Sequence, residues 1–174
     1  MESTEMALTP TQVRLVIAGP FEAAVFRAFG ESPEGEAFGK LETWATPRSL
    51  LEDATGYMLF GQNDPPPESE GGDYGYRYML TVDDGVGPGS DVETETISRS
   101  VYAVTRATLK TIGRRWNELY AWCEDNGHLV GGHGLEEHLV LPSGDSVEFL
   151  TFDLWLPVHL PGDRERGSAL REWD

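Results

Sequence analysis

The chain has a single cysteine, Cys123, so it forms no intrachain disulfide and suits a reducing compartment. It has no run of about 18 apolar residues, and no membrane span is expected. Its first ten residues, MESTEMALTP, lack the basic region and apolar stretch of a secretory leader, so the expected location is cytoplasmic. Lysine is almost missing as well. Lys40 and Lys110 stand beside eleven arginines and thirty acids, for a net charge of −17. Such a chain repels phosphate backbones, and without a basic patch no direct nucleic-acid partner is expected. The acid-rich, lysine-poor composition fits a halophilic origin, where salt screens self-repulsion, or an ordinary acidic cytosolic protein. Absent too are G-x-S-x-G, a P-loop and G-x-G-x-x-G, so Ser-His-Asp catalysis has no local support and no cofactor is expected.

What the chain has is a repeated order of elements. Residues 11–82 read strand, helix, strand, strand, and residues 97–158 read the same. TQVRLVIAGPFEAAVFRAF is extended, with Gly19 and Pro20 breaking or bulging it. EAFGKLETWA is helical, with Phe38, Leu41 and Trp44/Ala45 on one face. Thr46-Pro47 reads as a cap and first turn opening a short helix, PRSLLED. GYMLFGQ and YGYRYMLTV follow as a strand pair around the NDPPPESEGGD loop. In the second half ISRSVYAVTRAT is extended, and Ile112, Trp116, Leu119, Tyr120 and Cys123 stripe a helix that stops at Asn126-Gly127. GLEEHLVL and VEFLTFDLWLPV close the repeat. The expected fold is α+β: duplicated β-α-β-β units about a pseudo-twofold axis, a mostly antiparallel sheet, and helices on one side. The two halves form a single domain over 11–158, joined by loop 83–96, with tails at 1–10 and 159–174.

Two groups of residues are candidates for chemistry. In GLEEHLVL, strand alternation puts Glu136, His138 and Val140 on one face and Leu135, Glu137 and Leu139 on the other. Both faces are partly apolar, so one glutamate either sits at a solvated strand edge or is buried for a purpose. Tyr74, Tyr76 and Tyr78 share a face, which makes either an ordinary core surface or a wall for a planar or cationic ligand. In the last strand Phe149 and Trp155 lie on one face, with Leu150, Phe152, Leu154 and Leu156 on the other. His128, His133 and His138 recur every five residues, which places them on no common face, so no metal site is expected. Cys123 reads as core.

AAVFRAFG, LETWA, FGQNDPPP and GYRYMLTV, then VYAVTRAT, the Trp116 helix, LEEHL and FDLWLPV, run in one order across about residues 12–158. In that order the chain resembles the GyrI-like small-molecule-binding domains, which also form the effector-binding part of AraC-type and MerR-type regulators. The resemblance implies a glutamate at the floor of an aromatic pocket, a role that falls to Glu136. His138 stands where the family usually has an aromatic residue. It further implies a ligand site made of Glu136, Trp155, Tyr76, Tyr78, Trp116, His138 and Tyr102. The implied partner is an amphipathic, aromatic or cationic small molecule, held by a stand-alone effector-binding domain without a DNA-binding part. The resemblance leaves two further activities open. One is hydrolysis of cyclopropane-containing genotoxins with Glu136 as general base. The other is modulation of DNA gyrase, or of a regulator, by protein contact.

Overall fold

The computed structural model describes residues 12–83, 92–142 and 149–160. The expected 1–10 tail, all but the first two residues of the 159–174 tail and most of the expected 83–96 loop lie outside these residues. The strands are β1 (Arg14–Ala18), β2 (Phe21–Gly30), β3 (Leu59–Asn63), β4 (Tyr74–Thr81), β5 (Glu93–Ile97), β6 (Ser100–Thr108), β7 (Leu129–Val130), β8 (Leu135–His138) and β9 (Thr151–His159). The helices are α1 (Glu34–Ala45) and α2 (Ile112–Asp125). All nine strands join one sheet in the order β1-β6-β9-β8-β3-β4-β2-β5, with β7 also pairing to β9. Every pairing among them is antiparallel. The fold is α+β, as expected.

The strand order reads the same from either end. From the β8–β3 contact outward, each half places its last two strands and then its first, β8-β9-β6 on one side and β3-β4-β2 on the other. The outermost strands are exchanged: β1 precedes β2 in the chain but pairs with β6, and β5 precedes β6 but pairs with β2. Two expectations are corrected here. The first extended segment is two strands at distant places in the sheet, and part of the 83–96 loop is strand β5. Glu93 and Glu95 make β5 look like loop in the sequence. In the fold they meet Arg27 of β2 and Arg77 of β4, which neutralise them. A third correction concerns PRSLLED. Only Thr46–Arg48 forms a single 3-10 turn, because Ser49 takes a left-handed φ of 54° that ends it.

The sheet has to curl. β1 and β2 stand six positions apart in the order, roughly 29 Å across a flat sheet at about 4.8 Å per strand. Only Gly19 and Pro20 join them, and three Cα steps reach at most about 11 Å. β5 and β6 face the same demand with Ser98 and Arg99. The two connections meet: a Cβ on Gly19 would lie 3.0 Å from the Arg99 Cα and from the Ser98 carbonyl. Gly19 also holds a φ of 90°, so glycine is required there on two counts.

Curling gives the sheet two unlike faces. The inner one carries no helix and packs Val25, Phe60, Met79, Val104, Leu135 and Trp155 against each other. Phe60 meets Trp155 edge-on at 5.5 Å, and Trp155 meets Tyr102 at 5.2 Å. The other face carries both helices. α1 sets Phe38, Leu41 and Ala45 onto Phe26, Ala28 and Tyr78, while α2 sets Leu119 and Cys123 onto Ala103, Ala107 and Leu154. Tyr78, Gly61, Glu136 and Leu154 are in register across four strands, so both helices lie on the same side. Each helix covers its own half. Neither covers the seam between β8 and β3.

Candidate functional site

The uncovered seam is a cleft of about 530 Å³. Its floor is Glu136 and His138 of β8, with Tyr76 and Tyr78 of β4 on one side and Phe152 of β9 on the other. Register explains the grouping. Glu136 faces Leu154 and His138 faces Phe152, while Tyr78 pairs with Gly61, which in turn pairs with Glu136. The starts of both helices rim the cleft through Glu34 and Ile112. A second cavity of about 370 Å³ lies on the other side of Glu136, walled by Trp116, Tyr120, Arg77 and His133.

Gly61 makes the floor possible. A Cβ there would lie 2.0 Å from the Tyr76 hydroxyl oxygen and 2.8 Å from His138 Nε2. Because the glycine leaves that space open, the Tyr76 hydroxyl reaches across β3 to two partners on β8. It donates to Glu136 Oε2 at 2.9 Å and lies 3.1 Å from His138 Nε2. Since the hydroxyl has one proton and gives it to the carboxylate, His138 carries its proton on Nε2 and donates it to Tyr76. Gly134 plays a similar part for Trp116. A Cβ there would meet the indole at 2.3 Å, and the bare backbone lets the ring lie close and donate to Glu136.

Burial dominates the electrostatics. It raises the Glu136 carboxyl above the ordinary carboxylate range, and the bonds from Tyr76 and Trp116 only partly offset it. Burial also drives His138 down to about 4, so the imidazole is neutral at pH 7. Tyr76 is pushed well above its ordinary value by burial and by the neighbouring Glu136 charge. Among the described residues no arginine or lysine lines the larger cleft, and none pairs with Glu136. A buried carboxylate with hydrogen-bond donors but no countercharge favours a cation.

Five of the seven expected site residues come together: Glu136, Tyr76, Tyr78, His138 and Trp116. Trp155 and Tyr102 do not. Trp155 pairs in register with Leu135, so it shares the inner face with Glu137 and donates its indole N–H to Glu137 Oε2 at 2.9 Å. Tyr102 meets it edge-on there, and Trp155 and Tyr102 are 5% and 4% exposed. Alternation along β9 already opposes Trp155 to Phe152, and Phe152 is the residue that reaches the cleft. Gly61, Glu34 and Phe152 at the cleft have no part in the expected site, while Tyr74, expected as part of the tyrosine stripe, does line it. A glycine inside the alternating strand GYMLFGQ was the available signal, since such a glycine marks a close approach. The three spaced histidines are scattered: His133 walls the second cavity and His138 floors the first, while His128 stacks on Trp122 at 5.2 Å. No group of three metal-ligating side chains stands together among the described residues.

No curated protein matches the chain. Several solved structures share its fold. A hydrolase encoded by lin2189 from Listeria innocua aligns with a TM-score of 0.62 at 11% identity, over 91% of this chain and 97% of that one. The EcmrR C-terminal domain aligns at 0.59 and 16% identity, over 87% and 99%. Against the EcmrR chain in its DNA complex the TM-score is 0.61 at 14% identity, and this chain, matched over 87% of itself, spans 58% of that length. At these identities the likeness is one of fold. The family is set by a sequence model that matches residues 11–159, which take in all nine described strands and both helices, and by it the chain belongs to the GyrI-like small molecule binding domains.

Proposed function

We propose that this domain binds an amphipathic, aromatic cation in the seam cleft, with Glu136 as its countercharge. One observation carries the reading: a buried carboxylate, held by Tyr76 and Trp116, lies in an aromatic cleft without a basic partner. Tyr78 and Phe152, both nearly buried, give the cleft its aromatic lining, and the half-buried Tyr74 offers a ring to a flat cation, a contact worth about 0.5–2 kcal/mol. The domain then works as a drug-sensing or effector-binding unit, as its family membership supports.

The test is titration with a lipophilic cationic dye, rhodamine 6G, followed by fluorescence anisotropy. Glu136→Gln is expected to weaken binding by more than about tenfold, since a charge-assisted contact contributes about 1.5–3 kcal/mol. The fold survives the change, because glutamine keeps the volume and its carbonyl oxygen can still accept from the Tyr76 hydroxyl. Wild-type affinity is expected to fall as the solution is acidified through the raised titration of Glu136, beginning above the ordinary carboxylate range. Equal affinity of wild type and variant rejects the reading. A second activity, hydrolysis, draws on the same raised carboxyl, which suits proton transfer. Mass spectrometry of the recovered ligand separates the two, because binding returns it intact and hydrolysis adds water.

A further inference from the structure

The cleft has a second carboxylate. Glu34, in the first turn of α1, lines the same cavity as Glu136 and accepts a hydrogen bond from the Tyr74 hydroxyl at 2.6 Å. Tyr74 and Tyr76 are two residues apart on one face of β4, so each tyrosine holds one carboxylate toward the shared space. Their Cα atoms are one strand repeat apart, about 7 Å. The same lining carries Tyr78, Ile112, Leu109 and Phe152, with Ser32, Asn63 and the neutral His138 as its uncharged polar members. Lys40 sits nearly two turns along α1, where it donates to the Arg27 carbonyl at 2.7 Å and pairs with Glu36 at 3.3 Å. The Glu34 charge adds to what raises Glu136, and the hydrogen bond to Glu34 raises Tyr74 to about 12.

We propose that the cleft selects molecules with two cationic centres about one strand repeat apart, one held by Glu136 at the floor and the other by Glu34 at the rim. This rests on the cation-binding reading above and narrows its ligand class to rigid, planar dications. A single positive charge satisfies only one of the acids. A second one at the right distance meets Glu34 with no further ordering, so the gain is a full charge-assisted contact. Among the described residues the cleft lining holds no third acid for a further cationic group.

Methyl viologen and N-methyl-4-phenylpyridinium make the test pair. They are flat, similar in size, and differ in whether the second ring carries a charged nitrogen. The viologen nitrogens lie about as far apart as one strand repeat. In isothermal titration calorimetry on the full chain, the dication is expected to bind wild type at least about tenfold more tightly than the monocation. Glu34→Gln is expected to bring that ratio down to about threefold or less, and Tyr74→Phe to an intermediate value, because it removes only the hydroxyl that orients Glu34. Circular dichroism melts check that both variants fold. Glu34 is half-buried at a helix start, where loss of its charge weakens the helix only slightly. A wild-type ratio near one, or an unchanged ratio in Glu34→Gln, overturns the proposal. If the monocation binds through Glu136 without any advantage for the dication, the selectivity fails and the cation site stands. If neither compound binds, both fail.

Discussion

Acidification from pH 6.5 to 4 is expected to destabilise this protein by about 3 kcal/mol through His138 alone. The imidazole is held neutral by burial between Tyr78 at 5.1 Å and Phe152 at 4.8 Å, and its titration drops from 6.5 to about 4. In the unfolded chain it takes up a proton near 6.5, and in the fold it does not. Stability from this group is therefore complete above 6.5 and is lost as pH falls toward 4. Glu136 works in the opposite sense. Its raised carboxyl favours the fold in acid and costs stability once it ionises, so the two must be separated by mutation. Urea unfolding of wild type and His138→Phe across this range does so. The variant keeps the aromatic contacts and the Tyr76–Glu136 bond, and its curve is expected to lack the loss of about 3 kcal/mol. Parallel curves would mean that the folded protein protonates His138 readily.

Gly61→Ala is expected to cost about 3 kcal/mol, or roughly 6–12 °C in Tm for a chain of this size. In an ordinary strand the sign would be reversed, since alanine is favoured over glycine there by about 0.5–1 kcal/mol. Here the added methyl meets the Tyr76 hydroxyl oxygen at 2.0 Å and its ring carbon at 2.7 Å. Tyr76 is 3% exposed and Tyr78 beside it 1%, so the ring has nowhere to retreat. Part of the cost is overpacking, and the rest is the hydrogen bond taken from the buried Glu136. Cation binding should fail together with stability. Gly39→Ala is the control. It lies in α1 with nothing within 4 Å of its added methyl, and it should stabilise by up to about 1 kcal/mol. Equal effects at both positions would remove the special role of Gly61.

Much of this site was legible in the residues, and what was not has identifiable causes. LEEH alternates, so Glu136 and His138 were assigned one face and Glu137 the other, as observed. The tyrosine stripe and the α2 stripe of Trp116, Leu119 and Cys123 follow from periodicity and occupy the faces assigned. Trp155 and Tyr102 failed because alternation fixes only relative facing, while the curl made both sides of the sheet buried. An aromatic residue in such a strand therefore carries no mark of which interior it joins. β5 was hidden for a different reason: ETETI looks solvated until Arg27 and Arg77, far away in sequence, are set beside it. Glu34 was hidden because an acid in a first helical turn is commonplace.

The exchanged outer strands make each half unfinished by itself. Residues 12–83 alone would leave β1 without its partner and the outer side of β2 bare, and the second half would have the same two defects. Neither repeat is a module that folds first and then docks. The seam at the floor of the cleft is correspondingly slight, with two residue pairs joining β3 to β8 against eight joining β6 to β9. On the opposite side of the curl, two peptide connections press together at Gly19 and Arg99. The molecule is thus tied where the halves cross and only lightly laced where they meet beneath the cleft. A guest in the cleft would act as a rivet across that slight join.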